Sequence, residues 1–368
     1  MQRRDFISAL TGGAAAAGLA ACADQSPQTS APAVISAKKY RWKMVTTWPP
    51  NLPGLATGGA NFVAKAIEEM SGGRIEVRIY GGGELVPPFE VFDAVSSGTA
   101  ELGHGAAYYW KDKSLAAQLF TCVPFGMNPQ EMNAWLYFGG GLDLWREVYA
   151  EFDLVPHPAG NTGVQAGGWF NREIKSVEDL KGLKMRIPGL GGEVLERAGG
   201  IPVSLPGGDI FTALQTGSID ATEWVSPYND LAFGLHNAAK YYYYPGWHEP
   251  GPTLETIVNR RAWESLPDDL QHVIRHASTA ANTVMLSEYT AFNGPALKTL
   301  VEEHGTIVRP FPRDVIQRLR TLSREVLEEL AAKDETFGRV YASYSAFQRD
   351  ATSWIDISER AFVEARDT

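Results

Sequence analysis

The sequence predicts an α/β fold of two lobes around a central cleft, closed by a helical extension at the C-terminal end. Three observations carry this. Apolar, β-branched runs alternate twice with helix-period patterns, as in layered α/β folds with largely parallel pairing. Beyond the first 37 residues, roughly 330 remain, more than one core usually supports, so the chain is expected to divide. From Pro267 onward the pattern is helical apart from one short strand.

Residues 1–37 read as an export signal and tether. Arg3 and Arg4 precede an apolar residue, and the chain then runs uncharged from Ala9 to Ala21. That is a basic n-region and an h-region, too short and too weakly apolar for a permanent span. The paired arginines match a twin-arginine signal, which places the mature chain in the periplasm. Leu19-Ala20-Ala21-Cys22 resembles a lipoprotein box, and Ala21-Cys22-Ala23 also suits ordinary signal peptidase, so a lipid anchor at Cys22 stays open.

The first series has strands expected at 42–47, 75–80, 100–106 and 154–157, with helices at 60–70 and 89–95. A second has strands at 165–170, 184–187 and 219–224 and helices at 192–198 and 209–216. Strands at 241–244 and 255–259 return the chain, a long helix spans 267–289, and a strand at 306–309 precedes amphipathic helices suited to bracing both lobes. Residues 38–160 and 251–290 are assigned to lobe I, 161–250 and 291–335 to lobe II, and 336–368 to the extension. No repeat of 20–50 residues is visible, which excludes solenoids and propellers.

Only Cys22 and Cys122 occur, so without the leader no internal disulfide can form. A net charge of −10 argues against nucleic-acid binding, which needs clustered Lys and Arg. An acidic protein can still hold an anion through one cationic side chain in a cleft, where a low dielectric strengthens that charge.

Arg186 is the candidate for that role. A helical turn leads through Gly182 into a strand ending at Arg186, and Pro188-Gly189 then break it. Ligands of parallel α/β sheets sit outside the carboxyl ends of strands, and a guanidinium grips a carboxylate with two charge-assisted bonds. Glu223 and Trp224 end another strand, and Trp247-His248-Glu249 follow the next, so two acids and an aromatic pair converge in a pocket suited to a cation. A tyrosine hydroxyl from Tyr108 or Tyr109, after a strand, and Asn161, at the crossover between lobes, can complete the hydrogen bonds of a bound carboxylate; Tyr108 is preferred, although core packing explains the tyrosines equally well. Trp48 can wall the pocket, although core packing explains an aromatic there equally well.

The segment "DLKGLKMRIPG", residues 179–189, closely resembles the signature of the DctP family, the extracytoplasmic receptors of tripartite ATP-independent periplasmic (TRAP) transporters. The resemblance extends over the mature chain, through "YRWKMVTTW", "LQTGSIDATEW" and the C-terminal helices. It implies a two-lobed periplasmic solute-binding protein whose arginine anchors a carboxylate. "ATEW", "GWHEP" and Gln165 together resemble the subgroup that binds 2-oxo acids or lactate with a bridging metal ion. Carried over, that implies an ion held by Gln165, Glu223, Glu249 and the Trp224 carbonyl, with Gln165 and Trp224 also facing substrate. An all-oxygen shell favours Na⁺ or Ca²⁺ over Zn²⁺. The expected partners are a small carboxylate and the TRAP membrane subunits. The family also has members that dimerise through an exchanged C-terminal helix, for which Phe337, Val340, Tyr344 and Trp354 are suited, although packing on the chain's own lobes explains the same pattern.

The rival readings are an exported enzyme using Glu223 and Glu249 as a carboxylate pair, and a binding protein of another transporter or a sensor. His272 and His276 have zinc-pair spacing without a third ligand, and the glycine runs lack the P-loop and dinucleotide patterns. Energetics favour a clamp. Micromolar capture needs about 8 kcal/mol, and one charged hydrogen bond supplies only about 1.5–3 kcal/mol.

Overall fold

A computed structural model describes residues 38–366, so the export signal, the tether and Cys22 lie outside the described residues. Lys39–Thr368 is one compact unit. Eleven strands are described: β1 (Tyr40–Thr46), β2 (Ile75–Tyr80), β3 (Leu102–Gly105), β4 (Leu154–Asn161), β5 (Gly168–Phe170), β6 (Lys184–Arg186), β7 (Ile201–Val203), β8 (Ala221–Thr222), β9 (Tyr241–Tyr244), β10 (Thr253–Asn259) and β11 (Ile307–Pro310). They form two sheets, in the orders β2-β1-β3-β10-β4 and β11-β9-β5-β8-β6-β7.

The pairing is mixed, which corrects the largely parallel expectation. β2, β1 and β3 run parallel, whereas β10 is antiparallel to both β3 and β4. In the second sheet β8-β6-β7 and β11-β9 are parallel, and β5 is antiparallel to both its neighbours. The antiparallel members are the strands beside the crossings between sheets: the chain leaves the first sheet after β4, returns at β10 and departs again for β11. A strand that enters a sheet from its partner sheet need not follow the βαβ handedness that enforces parallel order. β5 and β8 also come unusually close, because a Cβ on Gly168, whose φ is 113°, would lie 2.5 Å from the Thr222 carbonyl oxygen.

The long helix runs Asp268–Glu302, well past the expected end at 289, and contains Pro295. The lobe boundary expected at 290/291 therefore falls inside one continuous helix. It buries Ile274, Ala277, Ala281, Met285 and Tyr289 and packs on β4, on helix Asn61–Met70 and on helix Pro227–Ala232. Those three partners come from both halves of the sequence, which explains why propensity alone did not end it.

Helices Arg313–Lys333 and Glu335–Ile355 bury Val315, Leu319, Leu322, Phe337, Val340 and Tyr344 in one core cluster. The same cluster takes Val45 and Ile257 from the first sheet and Met185 and Tyr243 from the second, so the C-terminal helices brace both. Phe120 stacks on Trp145 at 5.1 Å and on Trp135 at 5.9 Å within it. Past Tyr344 the packing thins, and Trp354, Ile357, Phe362 and Val363 are exposed. Among the described residues, no helix is long and apolar enough to cross a membrane.

Candidate functional site

β6 delivers Arg186 to the interior at its carboxyl end. Pro188 stops the strand, and helix Gly189–Arg197 begins against Tyr108. Gly189 has φ 60°, and a Cβ there would stand 3.1 Å from the Tyr108 Cβ, so glycine permits both the turn and the contact. The guanidinium is 1% exposed. Its Nε donates to the Leu205 carbonyl at 3.1 Å, Nη1 donates to Glu223 Oε1, and Nη2 donates to the Tyr109 hydroxyl at 3.1 Å. The Trp224 ring lies beneath it, 5.2 Å from Cζ, adding a cation–π contact in a dry site.

Glu223 leaves β8 directly, while Gln165 and Glu249 sit on the two segments that cross between the sheets. Those crossings are laced together: the Gln165 amide donates to the Glu249 carbonyl at 3.1 Å and Gly246 donates to the Gln165 carbonyl at 2.9 Å. Backbone bonding thus fixes Gln165 beside Glu249 although 84 residues separate them in sequence. Glu223 Oε2, Glu249 Oε2 and Gln165 Oε1 are buried and have no hydrogen-bond partner among the described residues. One ligand atom each from Glu223, His248 and Glu249 lies within 4.8 Å of the others. Orphaned buried acceptors are rare, because each forfeits the hydration it had in the unfolded chain. Three such oxygens together suit a hard cation.

Burial first, then the negative charge of Glu223, raises the pKa of Glu249 well above the ordinary carboxylate value; Arg186, Tyr108 and Gln165 oppose the rise. Burial would pull the Arg186 pKa down, but the charge of Glu223, with Tyr109 and Tyr108, outweighs it and the net direction is up. Burial also raises Tyr108, with Glu249 adding to it, and raises the thiol of Cys122, which feels both carboxylates. Cys122 is buried and free, as its count implied.

The structure brings Arg186, Glu223, Glu249, Gln165, Trp224 and Tyr108 into one buried cluster. Tyr108 approaches Glu249, and it is the next residue, Tyr109, that touches Arg186. Asn161 is fully buried, but its Nδ2 is directed to Gly251 O at 3.1 Å and Thr253 Oγ1 at 3.4 Å, and its Oδ1 accepts from Gly163 N at 2.9 Å. It pins the two crossings together. Trp48 packs at 6.2 Å from Tyr109 and donates to His104 Nδ1 at 2.9 Å. His248 was missed: it is 2% exposed, neither ring nitrogen has a hydrogen-bond partner among the described residues, and Nε2 lies 3.5 Å from Glu223 Oε2. Only its place between Trp247 and Glu249 hinted at this. A neighbouring cavity of about 300 Å³, lined by Phe89, Ile187, Pro188 and Val203, shares Tyr108 and Tyr109 with the cluster but none of its charged groups. The charged groups of the cluster thus lie enclosed and not around that cavity.

Comparison with known proteins shows the family. The monocarboxylate 2-oxoacid-binding periplasmic protein of Nostoc sp. is 45% identical over 365 residues, 98% of each chain. A TRAP transporter solute-binding protein of Bordetella bronchiseptica has TM-score 0.87 and 39% identity, covering 89% of this chain and 97% of its own. It is described as a mixed-occupancy dimer with calcium and picolinate in one active site. A TRAP periplasmic solute-binding protein of Pseudoalteromonas atlantica, with bound sodium and pyruvate, has TM-score 0.86 and 43% identity, covering 89% of this chain and 99% of its own. Residues 44–334 match the DctP family model, bacterial extracellular solute-binding protein family 7, and the chain belongs to that family.

Proposed function

We propose that this chain is the receptor of a TRAP transporter for a short 2-oxo monocarboxylate such as pyruvate, or for lactate. Arg186 takes the substrate carboxylate, and a Na⁺ or Ca²⁺ ion bridges substrate and protein. The observation that carries this is the meeting of two buried carboxylates, Glu223 and Glu249, each with an orphaned oxygen, beside one guanidinium, with the orphaned amide oxygen of Gln165 on the segment bonded to Glu249. The Trp224 carbonyl is the fourth ligand. Two carboxylates facing an anion repel it unless a cation intervenes. Pyruvate and picolinate, the ligands of the two structural relatives, each carry a second donor atom next to a carboxylate, so either can chelate one ion. His248 prefers softer ions than this oxygen set does, and its ring serves as a hydrogen-bond donor to the substrate. Tyr108 donates alongside it, and Asn161 holds the frame.

No chemistry is performed on the ligand. Glu223 is ion-paired to Arg186, so it does not stand as the free carboxylate that a glycosidase-type pair needs. Residues 38–160 with 251–290 and 161–250 with 291–335 act as the closing lobes. The twin-arginine signal exports the folded chain to the periplasm, and Cys22 is the site of a lipid anchor if the lipoprotein box is used. The exposed Trp354, Ile357, Phe362 and Val363 are the contact of a homodimer, a state that light scattering of the full mature chain and of Trp354→Ala would reveal.

The ion reading is tested by titrating pyruvate into protein stripped by chelator and dialysed free of Na⁺, then restoring Na⁺ or Ca²⁺ stepwise. Affinity that rises with the ion supports it. Affinity unchanged across all conditions removes the ion and leaves Arg186 alone.

A further inference from the structure

Asp230 is 1% exposed and forms no ion pair among the described residues, yet its carboxylate is fully engaged by neutral donors. Oδ2 accepts from Trp169 Nε1 at 2.9 Å and from the Tyr242 hydroxyl at 2.8 Å, and Oδ1 accepts from the Val225 amide at 3.2 Å. The origin of these donors is what matters. Trp169 lies on β5, four residues after Gln165. Val225 directly follows Glu223 and Trp224. Tyr242 lies on β9, which leads into Glu249. Each of the three segments that carry the oxygen ligands therefore ends a hydrogen bond on the same carboxylate. Trp169 and Tyr242 also stack at 4.4 Å, so the two side-chain donors cannot shift independently.

We propose that Asp230 is a positioning residue for the ion: its carboxylate sets the spacing of the segments bearing Gln165, Glu223, Trp224 and Glu249, without touching ion or substrate itself. A buried carboxylate without a cationic partner is costly, and an apolar residue of similar size would avoid that cost while leaving three buried donors unpaired. What such a residue could not do is hold three donors at fixed distances from one point. Oxygen shells around a hard cation tolerate displacements of only a few tenths of an ångström, and groups that orient the ligands govern affinity by about 10–100-fold.

This inference rests on the reading of Gln165, Glu223 and Glu249 as ion ligands, so the experiment separates the two. Ca²⁺ is titrated into chelator-stripped wild type, Asp230→Asn and Tyr242→Phe, with and without saturating pyruvate, and thermal stability is measured in parallel. Asp230→Asn keeps the shape but offers one acceptor where two were used. It is expected to weaken Ca²⁺ at least about 10-fold and to shrink the factor by which pyruvate and Ca²⁺ assist each other. Tyr242→Phe removes one donor and keeps the stack, and should act in the same direction by a few-fold. Ca²⁺ affinity and coupling within a factor of three of wild type in Asp230→Asn, whatever its melting temperature, overturn the proposal while leaving the ion site standing. If Asp230→Asn does not fold, wild-type coupling in Tyr242→Phe overturns it. A wild type indifferent to Ca²⁺ and Na⁺ overturns both readings.

Discussion

Arg186 Nη2 donates a 3.1 Å hydrogen bond to the Tyr109 hydroxyl, and that bond ties a strand end of the second sheet to the turn that follows β3 in the first. Three of the five guanidinium hydrogens are thus engaged by Leu205, Glu223 and Tyr109. A substrate carboxylate entering here meets the two hydrogens that remain, or displaces the Tyr109 hydroxyl. Tyr109→Phe should therefore weaken pyruvate binding by less than about 10-fold in calorimetry. A loss beyond 100-fold would make Tyr109 a direct ligand.

Arg186→Ala is expected to remove detectable binding, since the cluster loses its cationic side chain. It should also destabilise the fold, because Glu223 would be left buried without its ion-pair partner, at a cost of about 3–5 kcal/mol. The double substitution Arg186→Ala with Glu223→Gln separates the two effects: stability should return and binding should not. Lysine at 186 should rescue weakly, because it cannot reproduce the planar fork. Calorimetry showing near wild-type pyruvate affinity in the stable double variant would remove Arg186 as the anchor.

Asn229 makes a second tie between distant parts of the chain. It is fully buried, its Oδ1 accepts from Trp224 Nε1, and its Nδ2 donates to the carbonyl of Pro53, in the segment after β1. The Tyr228 hydroxyl donates to Glu288, which also accepts from the Gly54 amide, so the contact continues alongside. Trp224 lies under Arg186, so on the proposed reading a bound ligand is coupled to this tie through Trp224. Asn229→Ala should lower pyruvate affinity about 10-fold, by loss of two buried hydrogen bonds, and should leave the ligand-bound protein more expanded in small-angle scattering. An unchanged affinity would confine Asn229 to local packing.

Much of this was legible because the site is assembled from strand ends, which sequence patterns mark well. Arg186 stands where Pro188 and Gly189 stop a strand, and Glu223 and Trp224 follow a turn at Gly217-Ser218. The proximity of Gln165 to Glu249 was legible only through family resemblance, since it depends on backbone bonds between two crossings. His248 was missed, and Tyr109 was passed over in favour of Tyr108, for one reason. Each sits next to a residue already singled out, and in irregular or 3₁₀ backbone adjacent side chains can both face one pocket, unlike those of a strand. β7, Ile201-Pro202-Val203, was missed because its proline reads as a breaker; it is an edge strand, where proline is tolerated.

Away from the site, Glu255 gives a pH prediction with a definite sign. Burial pushes its carboxyl up to about 7 from 4.5, against hydrogen bonds from Trp110 and Tyr149 that lower it. The folded chain then holds more protons than the unfolded chain between those values, so this group's contribution to stability falls as pH rises through the window. His104 and His157 act oppositely: burial holds them down to about 4 and about 3, so below pH 6.5 the unfolded chain binds more protons and stability falls with acid. The whole-protein profile mixes these, and Glu255→Gln isolates one of them. Its melting temperature relative to wild type should become steadily more favourable from pH 5 to pH 8. A difference that stays flat across that range would show the group already ionised at pH 5.

Glu249→Gln tests the ion most cleanly, because Glu249 has no ion-pair partner among the described residues whereas Glu223 holds Arg186. In the ion-free protein the substitution removes a desolvated carboxylate whose pKa is raised by burial and by Glu223, so thermal stability above neutral pH should be unchanged or higher. With Ca²⁺ the order should invert. The variant loses a charged oxygen ligand, so Ca²⁺ should bind about 10–100-fold more weakly, and the stabilisation that Ca²⁺ gives by mass action should shrink accordingly. Linkage requires that whatever factor of assistance Ca²⁺ still gives pyruvate in the variant, pyruvate gives Ca²⁺ in return, so the two titrations must agree. A residue serving only the fold gives the opposite pattern: lower stability without the ion and an unchanged gain on adding it. Differential scanning calorimetry of both proteins, stripped and then supplied with Ca²⁺ and pyruvate singly and together, distinguishes the two. Equal Ca²⁺-induced shifts in melting temperature for wild type and Glu249→Gln would take Glu249 out of the ion's shell.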